Sequence, residues 1–262
     1  MFPFFSIFGR TIGMYQVMTL AGIFAAGIYV TRICNNTGRD DNEGIIFLLI
    51  VSIGVFLGGR ILYSIVNYQI MITIIKNISV INSFENFLTA VNLIWGGNVF
   101  YGGLLGGILA AMIILKIKPH YRYLLDIAVP AIPLFHFFGR IGCFLAGCCF
   151  GIESTFGFTA YHSIIDEANG IHRFPVQLLE AFFNLVLFFI LDNFRRKNLF
   201  RQNILYLYLL FYSVARFFIE FLRGDEYRGF VFVLSTSQII SIFILCFIAP
   251  KIYSLFKRNE AA

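Results

Sequence analysis

The chain has 262 residues, of which 59% are apolar, 18% aromatic and only 13% charged, with a formal net charge of +6. Soluble domains average about 45–50% apolar and about 25% charged residues, so this balance excludes a soluble enzyme, a disordered tail and a small disulfide scaffold. The 33 Phe against one Trp leave too few polar side chains to cover a water-facing globule.

A membrane-spanning helix needs about 20 mostly apolar residues. Seven apolar stretches approach that length, at roughly 11–30, 44–66, 98–115, 123–139, 176–192, 203–222 and 231–250. They predict an all-α integral membrane protein with seven transmembrane helices, built as a single membrane domain over residues 1–262. The opening Met1-Phe-Pro-Phe-Phe has no basic region ahead of its apolar stretch and no small-residue cleavage site, so the first span is expected to be retained. Two connecting segments are long, 67–97 and 140–175. The second is rich in Gly, Ser, Thr, His and acidic residues, and is expected to form a small extracytoplasmic head between the fourth and fifth spans.

The basic residues set the orientation. With the N-terminus outside and the C-terminus inside, the inner segments carry Arg32, Arg39, Lys116, Lys118, Arg122, Arg195, Arg196, Lys197, Arg201, Lys251, Lys257 and Arg258. The outer segments carry Arg10, Lys76, Arg140, Arg173, Arg223 and Arg228, half as many, as the positive-inside rule requires. No basic run is interleaved with polar residues, which speaks against a nucleic-acid surface. Gly54 with Gly58, Gly102 with Gly106 and Gly103 with Gly107 make small-x-x-x-small pairs, read as close helix packing.

Ionisable groups at membrane depth are expensive and call for a reason. Arg60, Arg140, Glu180, Arg216, Glu220 and Arg223 all fall near the outer end of a predicted span. Arg216, Glu220 and Arg223 stand at i, i+4 and i+7, one face of a helix. Guanidinium matches phosphate in bidentate geometry, so inward-facing arginines at that depth suit an anionic lipid headgroup. The blander reading is snorkelling or a simple Arg216–Glu220 pair. An Arg-lined channel or transporter is a further alternative, although it predicts charges at several depths and no internal repeat is visible.

Several segments resemble one family in order. Trp95-Gly-Gly-Asn-Val-Phe-Tyr101-Gly-Gly-Leu-Leu-Gly106 is similar to a glycine-rich segment of the prolipoprotein diacylglyceryl transferases. Asp126 to Pro133, Gly139-Arg140-Ile-Gly142 and Gly147 to Gly151 look like that family's signature. Arg173-Phe-Pro175-Val-Gln177-Leu-Leu-Glu180, then Arg216 to Arg223 with Asp225, then Ser237-Gln238-Ile-Ile-Ser241 resemble three later segments. Tyr15, and Arg60 with Tyr63, fall in matching places.

The resemblance implies a multi-pass enzyme of the bacterial cytoplasmic (inner) membrane. Such an enzyme moves the diacylglyceryl group of phosphatidylglycerol to the lipobox cysteine thiol of a prolipoprotein, releasing glycerol phosphate. Its implied partners are that lipid, the lipobox peptide and the bilayer, with no nucleic acid, cofactor or metal. Arg140 and Arg216 would hold the phosphate, with Glu180, Glu220 and Arg223 orienting them and the headgroup. Tyr15 and Arg60 would contact the lipid, and Gly102 and Gly151 would let backbone approach it. Tyr101 occupies the place of the family's candidate base.

The departures lie on the acceptor side. Tyr101 stands where the family usually has His, Cys143 where it has Asn, Cys148 where it has Glu, and Phe174 where it has a second His. A phenol near pKa ~10 is a poor base at neutral pH, while a thiol near ~8.5 is partly ionised without help. His136, one helical turn before Arg140, is a candidate replacement base. A different acceptor on the same scaffold, as in headgroup or acyl transfer, is therefore also open. Cys143, Cys148 and Cys149 read as apolar fillers, as a Cys143–Cys148 disulfide, or as a metal, redox or acyl-carrying group drawing on His136 or His162.

Overall fold

The computed structural model describes residues 1–77, 81–97, 99–225, 230–231 and 233–260. Arg228, counted above among the outer charges, lies outside them. Nine α-helices are found among the described residues: α1 (Met14–Asn36), α2 (Asp41–Val66), α3 (Tyr68–Lys76), α4 (Phe84–Trp95), α5 (Phe100–Ile117), α6 (Arg122–Ala146), α7 (Val176–Arg196), α8 (Ile204–Ile219) and α9 (Thr236–Glu260). Among the described residues, six helices are long and apolar enough to cross a membrane: α1, α2, α6, α7, α8 and the Thr236–Leu255 part of α9. The Tyr101–Ile117 stretch of α5 is apolar but shorter. The chain is thus an all-α protein of integral-membrane type. It divides into two compact units, Gly38–Leu124 and the remainder, each taken by itself below.

In the Gly38–Leu124 unit, α2 starts on Asp40, whose side chain accepts from the Asn42 amide at 2.9 Å, and Asp41 and Glu43 complement the helix dipole. The glycine pairs explain how α2 and α5 meet. A Cβ on Gly58 would run into the Gly102 carbonyl and the Gly106 Cα, and one on Gly106 into the Gly54 carbonyl. Bare backbones therefore interlock, as the spacing predicts. The described part of the 67–97 segment contains two amphipathic helices, α3 and α4, the latter capped by Ser83, which accepts from the Asn86 amide at 3.2 Å. At the start of α2, Glu43 accepts from the Tyr123 hydroxyl at 2.7 Å, and His120 stands 3.5 Å away.

The other unit opens with an antiparallel hairpin, β1 (Phe4–Ile7) and β2 (Arg10–Gly13), turned by Phe8 and Gly9 at positive φ. This is the primed two-residue turn that matches strand twist. α6, α7 and α8 share a core of Val129, Leu187, Leu191, Ile204, Leu207 and Tyr208. Near the end of α7, Asp192 accepts from the Tyr29 hydroxyl at 2.7 Å, Arg195 Nη2 at 2.7 Å and Arg196 Nε at 2.6 Å, tying α1 to α7.

Three boundaries differ from expectation. α6 continues past Arg140 to Ala146, where Gly147 at φ 82° ends it. The polar segment beyond it contains β3 (Glu153–Thr159) paired antiparallel with β4 (His172–Arg173), and a short turn at Asp166–Ala168. The apolar run at 231–235 reads as helix but contributes to a short strand pair, β5 (Phe230–Val231) with β6 (Leu234–Ser235), before α9 begins. Finally, α8 stops at Ile219 and a tighter turn carries Glu220–Leu222, so Arg223 leaves the helix at φ −88°, ψ 137°. The expected i+7 helical alignment of Arg223 with Arg216 is thereby replaced by an extended residue bridged to Gly151.

Candidate functional site

The centre of the site is Glu180, on the second turn of α7, which begins at Val176 directly after Pro175. Its carboxylate is buried and shared. Oε2 lies 2.5 Å from Arg140 Nε of α6, and Oε1 accepts from Arg216 Nη1 of α8 at 2.8 Å. Arg223 Nη1 stands 4.0 Å from the same Oε1. Arg216 is held from two further sides, by Glu220 Oε2 at 2.7 Å and by Ser237 Oγ of α9 at 3.2 Å. Arg223 donates to both oxygens of Asp225, at 3.0 and 2.6 Å. Arg140, Arg216, Glu180, Glu220 and Arg223 thus converge in one unit. The simple Arg216–Glu220 pair is only part of a larger network.

The donors are unequally spent. Arg216 is 12% exposed and uses both terminal nitrogens, whereas Arg140 is 21% exposed and reaches Glu180 through Nε. Among the described residues no hydrogen bond occupies Arg140 Nη1 or Nη2. An anion that takes two parallel N–H bonds fits that unspent edge. For Arg223, burial is the largest single influence and lowers the guanidinium, but the Asp225 hydrogen bonds together with the Cys149, Asp225 and Glu180 charges leave it raised. Tyr15, at the start of α1, is packed against Gly142 of α6, two residues beyond Arg140.

The backbone frame has a clear cause. Ile152 N donates to Leu222 O at 3.0 Å, Gly224 N to Phe150 O at 3.0 Å and Phe174 N to Ile152 O at 2.9 Å, so three segments meet around Gly151. A Cβ there would collide with the Phe174 and Leu222 carbonyls, which accounts for the glycine by close packing within the protein.

Arg60, Tyr101 and Gly102 belong to the other unit. Arg60 donates through Nη1 to the Trp95 carbonyl and lies over the Phe56 ring at 5.0 Å. Tyr101 stands half-buried in the first turn of α5. Gly102 faces Gly58 and Leu62, so helix packing fills the space a side chain would take.

The three neighbouring cysteines are free thiols, which replaces the disulfide reading. Their Sγ atoms lie within 4.8 Å of one another, and neither His136 nor His162 joins them. His136 instead packs against the Phe135 and Tyr212 rings. Hydrogen bonding with Cys143 and Cys148 pulls the Cys149 thiol down, helped by Arg223 and Arg140, while the Cys143 and Cys149 contacts push Cys148 up. Asp225 and Ser237 were not singled out from sequence, although both lie in the quoted motifs. An Asp two residues after an Arg was the available signal.

The structure defines an all-α protein of integral-membrane type with a buried, carboxylate-positioned arginine cluster. Comparison with known families makes this specific. The family model for prolipoprotein diacylglyceryl transferase matches residues 3–253, and the chain belongs to that family. It is 38% identical over 247 residues to phosphatidylglycerol–prolipoprotein diacylglyceryl transferase 2 of Clostridium perfringens, covering 91% of this chain and 89% of that protein. A transferase of the same name from Clostridium tetani is 36% identical over 245 residues, with 92% of each chain covered. One from Wolbachia pipientis is 31% identical over 251 residues, covering 91% and 88%.

Proposed function

We propose that this chain transfers the diacylglyceryl group of phosphatidylglycerol to the lipobox cysteine of prolipoproteins, in the bacterial cytoplasmic membrane. The observation that carries the mechanism is Glu180 holding Arg140 and Arg216 while the Arg140 Nη edge stays unspent. On this reading the phosphodiester lies against that edge and Tyr15 hydrogen-bonds the headgroup. The acceptor sulfur attacks the glyceryl carbon, the C–O bond breaks, and the departing glycerol phosphate gains charge that fixed guanidinium donors stabilise. Glu220 and Arg223 keep Arg216 and Glu180 in place. Arg60, Gly102 and Gly151 serve the lipid from the positions the family resemblance gives them, and Tyr101 occupies the base position.

The topology proposed with this function has α5 as a seventh span, the N-terminus outside, the C-terminus inside, and the segment near 140–175 as an outer head of one membrane domain over residues 1–262. A pore is disfavoured by where the buried charge sits. Glu180 and Asp192 lie near opposite ends of α7, about 18 Å apart by helical rise, and each is saturated by arginines.

The test is purified protein in nanodiscs with labelled phosphatidylglycerol and a lipobox peptide, which should yield thioether-linked peptide. Arg140→Ala is expected to lower turnover by about 10²–10³-fold, as loss of a transition-state donor does. Full turnover in that variant would end the site assignment.

A further inference from the structure

We propose that Cys143, Cys148 and Cys149 form a three-thiolate site for a thiophilic divalent cation, zinc foremost, with a fourth position open to the acceptor thiol.

The geometry is built by the end of α6. Gly147 turns the chain at φ 82°, and the Cys148 amide donates back to the Cys143 carbonyl at 3.2 Å. Cys149 follows at φ 55°, left-handed backbone that a non-glycine residue rarely adopts, and so aims its thiol back at the other two. The loop is pinned from outside as well, since Gln177 Nε2 donates to the Cys148 carbonyl at 2.9 Å. All three sulfurs lie within 4.8 Å of one another. Tetrahedral zinc with bonds of about 2.3 Å sets its sulfurs ~3.8 Å apart, so sub-ångström side-chain adjustment completes the set.

Electrostatics favours the occupied form despite the arginines. Three thiolates exceed the charge of one divalent cation, and the resulting anion lies within electrostatic reach of Arg140 and Arg223. Soft thiolate ligands select zinc over magnesium or calcium. Three protein ligands with a vacant fourth position are the pattern of zinc sites that do chemistry, whereas structural sites close with four.

The use of that fourth position rests on the transferase reading; the metal site itself does not. A thiol bound to zinc is deprotonated. The acceptor cysteine would lose its proton to water on binding. Its sulfur lone pair would then form the bond to the glyceryl carbon as the C–O bond breaks and glycerol phosphate leaves. The thioether product is a weaker ligand and departs. This supplies acceptor activation in a chain whose base position carries Tyr101.

The test uses the full-length protein, reduced and in nanodiscs, titrated with Co²⁺ alone and then Zn²⁺ alone. A thiolate-to-cobalt charge-transfer band saturating at one ion per chain is expected, displaced by zinc. Zinc should also protect Cys143, Cys148 and Cys149 of the unaltered protein from alkylation, with protection lost on chelation, a readout independent of any variant's folding. Cys149→Ser should weaken cobalt at least about tenfold, and Cys34→Ser should not. A lipobox peptide should shift the cobalt spectrum, and its Cys→Ser analogue should not. No band, no protection, or a disulfide among the three in reduced protein overturns the site. A cobalt spectrum blind to the peptide, or full transfer after chelation, overturns the fourth-position role. Metal binding without any lipidated peptide would instead count against the transferase reading.

Discussion

Glu180→Gln isolates the shared carboxylate on which the site depends. Glu180 accepts charge-assisted contacts at 2.5 and 2.8 Å from two guanidinium groups, and it is buried. Each such bond contributes roughly 1.5–3 kcal/mol, and removing one partner of a buried ion pair costs about 3–5 kcal/mol. Glutamine keeps one oxygen acceptor, so one arginine retains a neutral hydrogen bond while both lose their counter-charge. The expected loss is therefore near the lower bound, about 3 kcal/mol. For a chain of this size that corresponds to a fall in Tm of roughly 6–12 °C. Circular-dichroism melting in one detergent measures it. Arg216→Gln and the double variant complete a cycle, in which the double loss should fall short of the summed single losses by at least about 1 kcal/mol. A Glu180→Gln melt within experimental scatter of the parent, or strict additivity in the cycle, would refute the reasoning.

Asp192→Asn should destabilise by about 3–5 kcal/mol, because the buried Asp192 carboxylate is shared by Tyr29, Arg195 and Arg196, yet leave transfer intact at temperatures where the protein stays folded. Melting and transfer assays run on the same preparation separate the two effects. Gly58→Ala drives a methyl into the Gly102 backbone and should cost at least about 1–3 kcal/mol. Gly27→Ala, with nothing within 4 Å of the new Cβ, should be neutral or stabilise by up to about 1 kcal/mol, and parallel melts test the pair. Tyr101→Phe should lower transfer only partly, as read in the lipobox-peptide assay, and a dead Phe variant with a more active Tyr101→His variant would assign the base role to the phenol.

The all-α membrane-type fold and the arginine cluster were legible because both follow from the cost of polarity at membrane depth, whereas six helices of spanning length are found among the described residues where seven spans were expected. An Arg or Glu inside an apolar run must find a partner, and Arg140, Glu180, Arg216 and Glu220 find one another. Where hydropathy failed, backbone hydrogen bonding had intervened. The apolar run that opens the predicted last span instead supplies Val231 and Leu234–Ser235 to a strand pair, and α9 begins only at Thr236. Arg223 sits at helical spacing from Arg216, yet its backbone is claimed by Gly151 and its side chain by Asp225. Periodicity carries no information about such long-range claims. The approach of the three sulfurs was equally invisible, because it depends on left-handed residues at 147 and 149 that spacing alone does not specify.

The charge count within the cluster bears on how a transferase could use it. Among the described residues, three guanidiniums, of Arg140, Arg216 and Arg223, face three carboxylates, of Glu180, Glu220 and Asp225, a balanced set. A phosphodiester monoanion entering it gains little from net charge. What it can gain is direction, from the Arg140 Nη donors that Glu180 holds in place without occupying. As the glyceryl C–O bond breaks, the leaving phosphate acquires further negative charge at an oxygen that had been esterified. Donors already fixed toward that oxygen strengthen at this step without reorganising, whereas donors pulled away from a carboxylate on demand would lose as much as they gain. Interactions stronger in the transition state than with bound lipid raise turnover, while equal ones only tighten binding. The arrangement therefore separates two tasks. On the proposed function, Arg216 and Arg223, held by carboxylates, would form the frame, and Arg140 would offer the phosphate its Nη donors while keeping Glu180 on Nε.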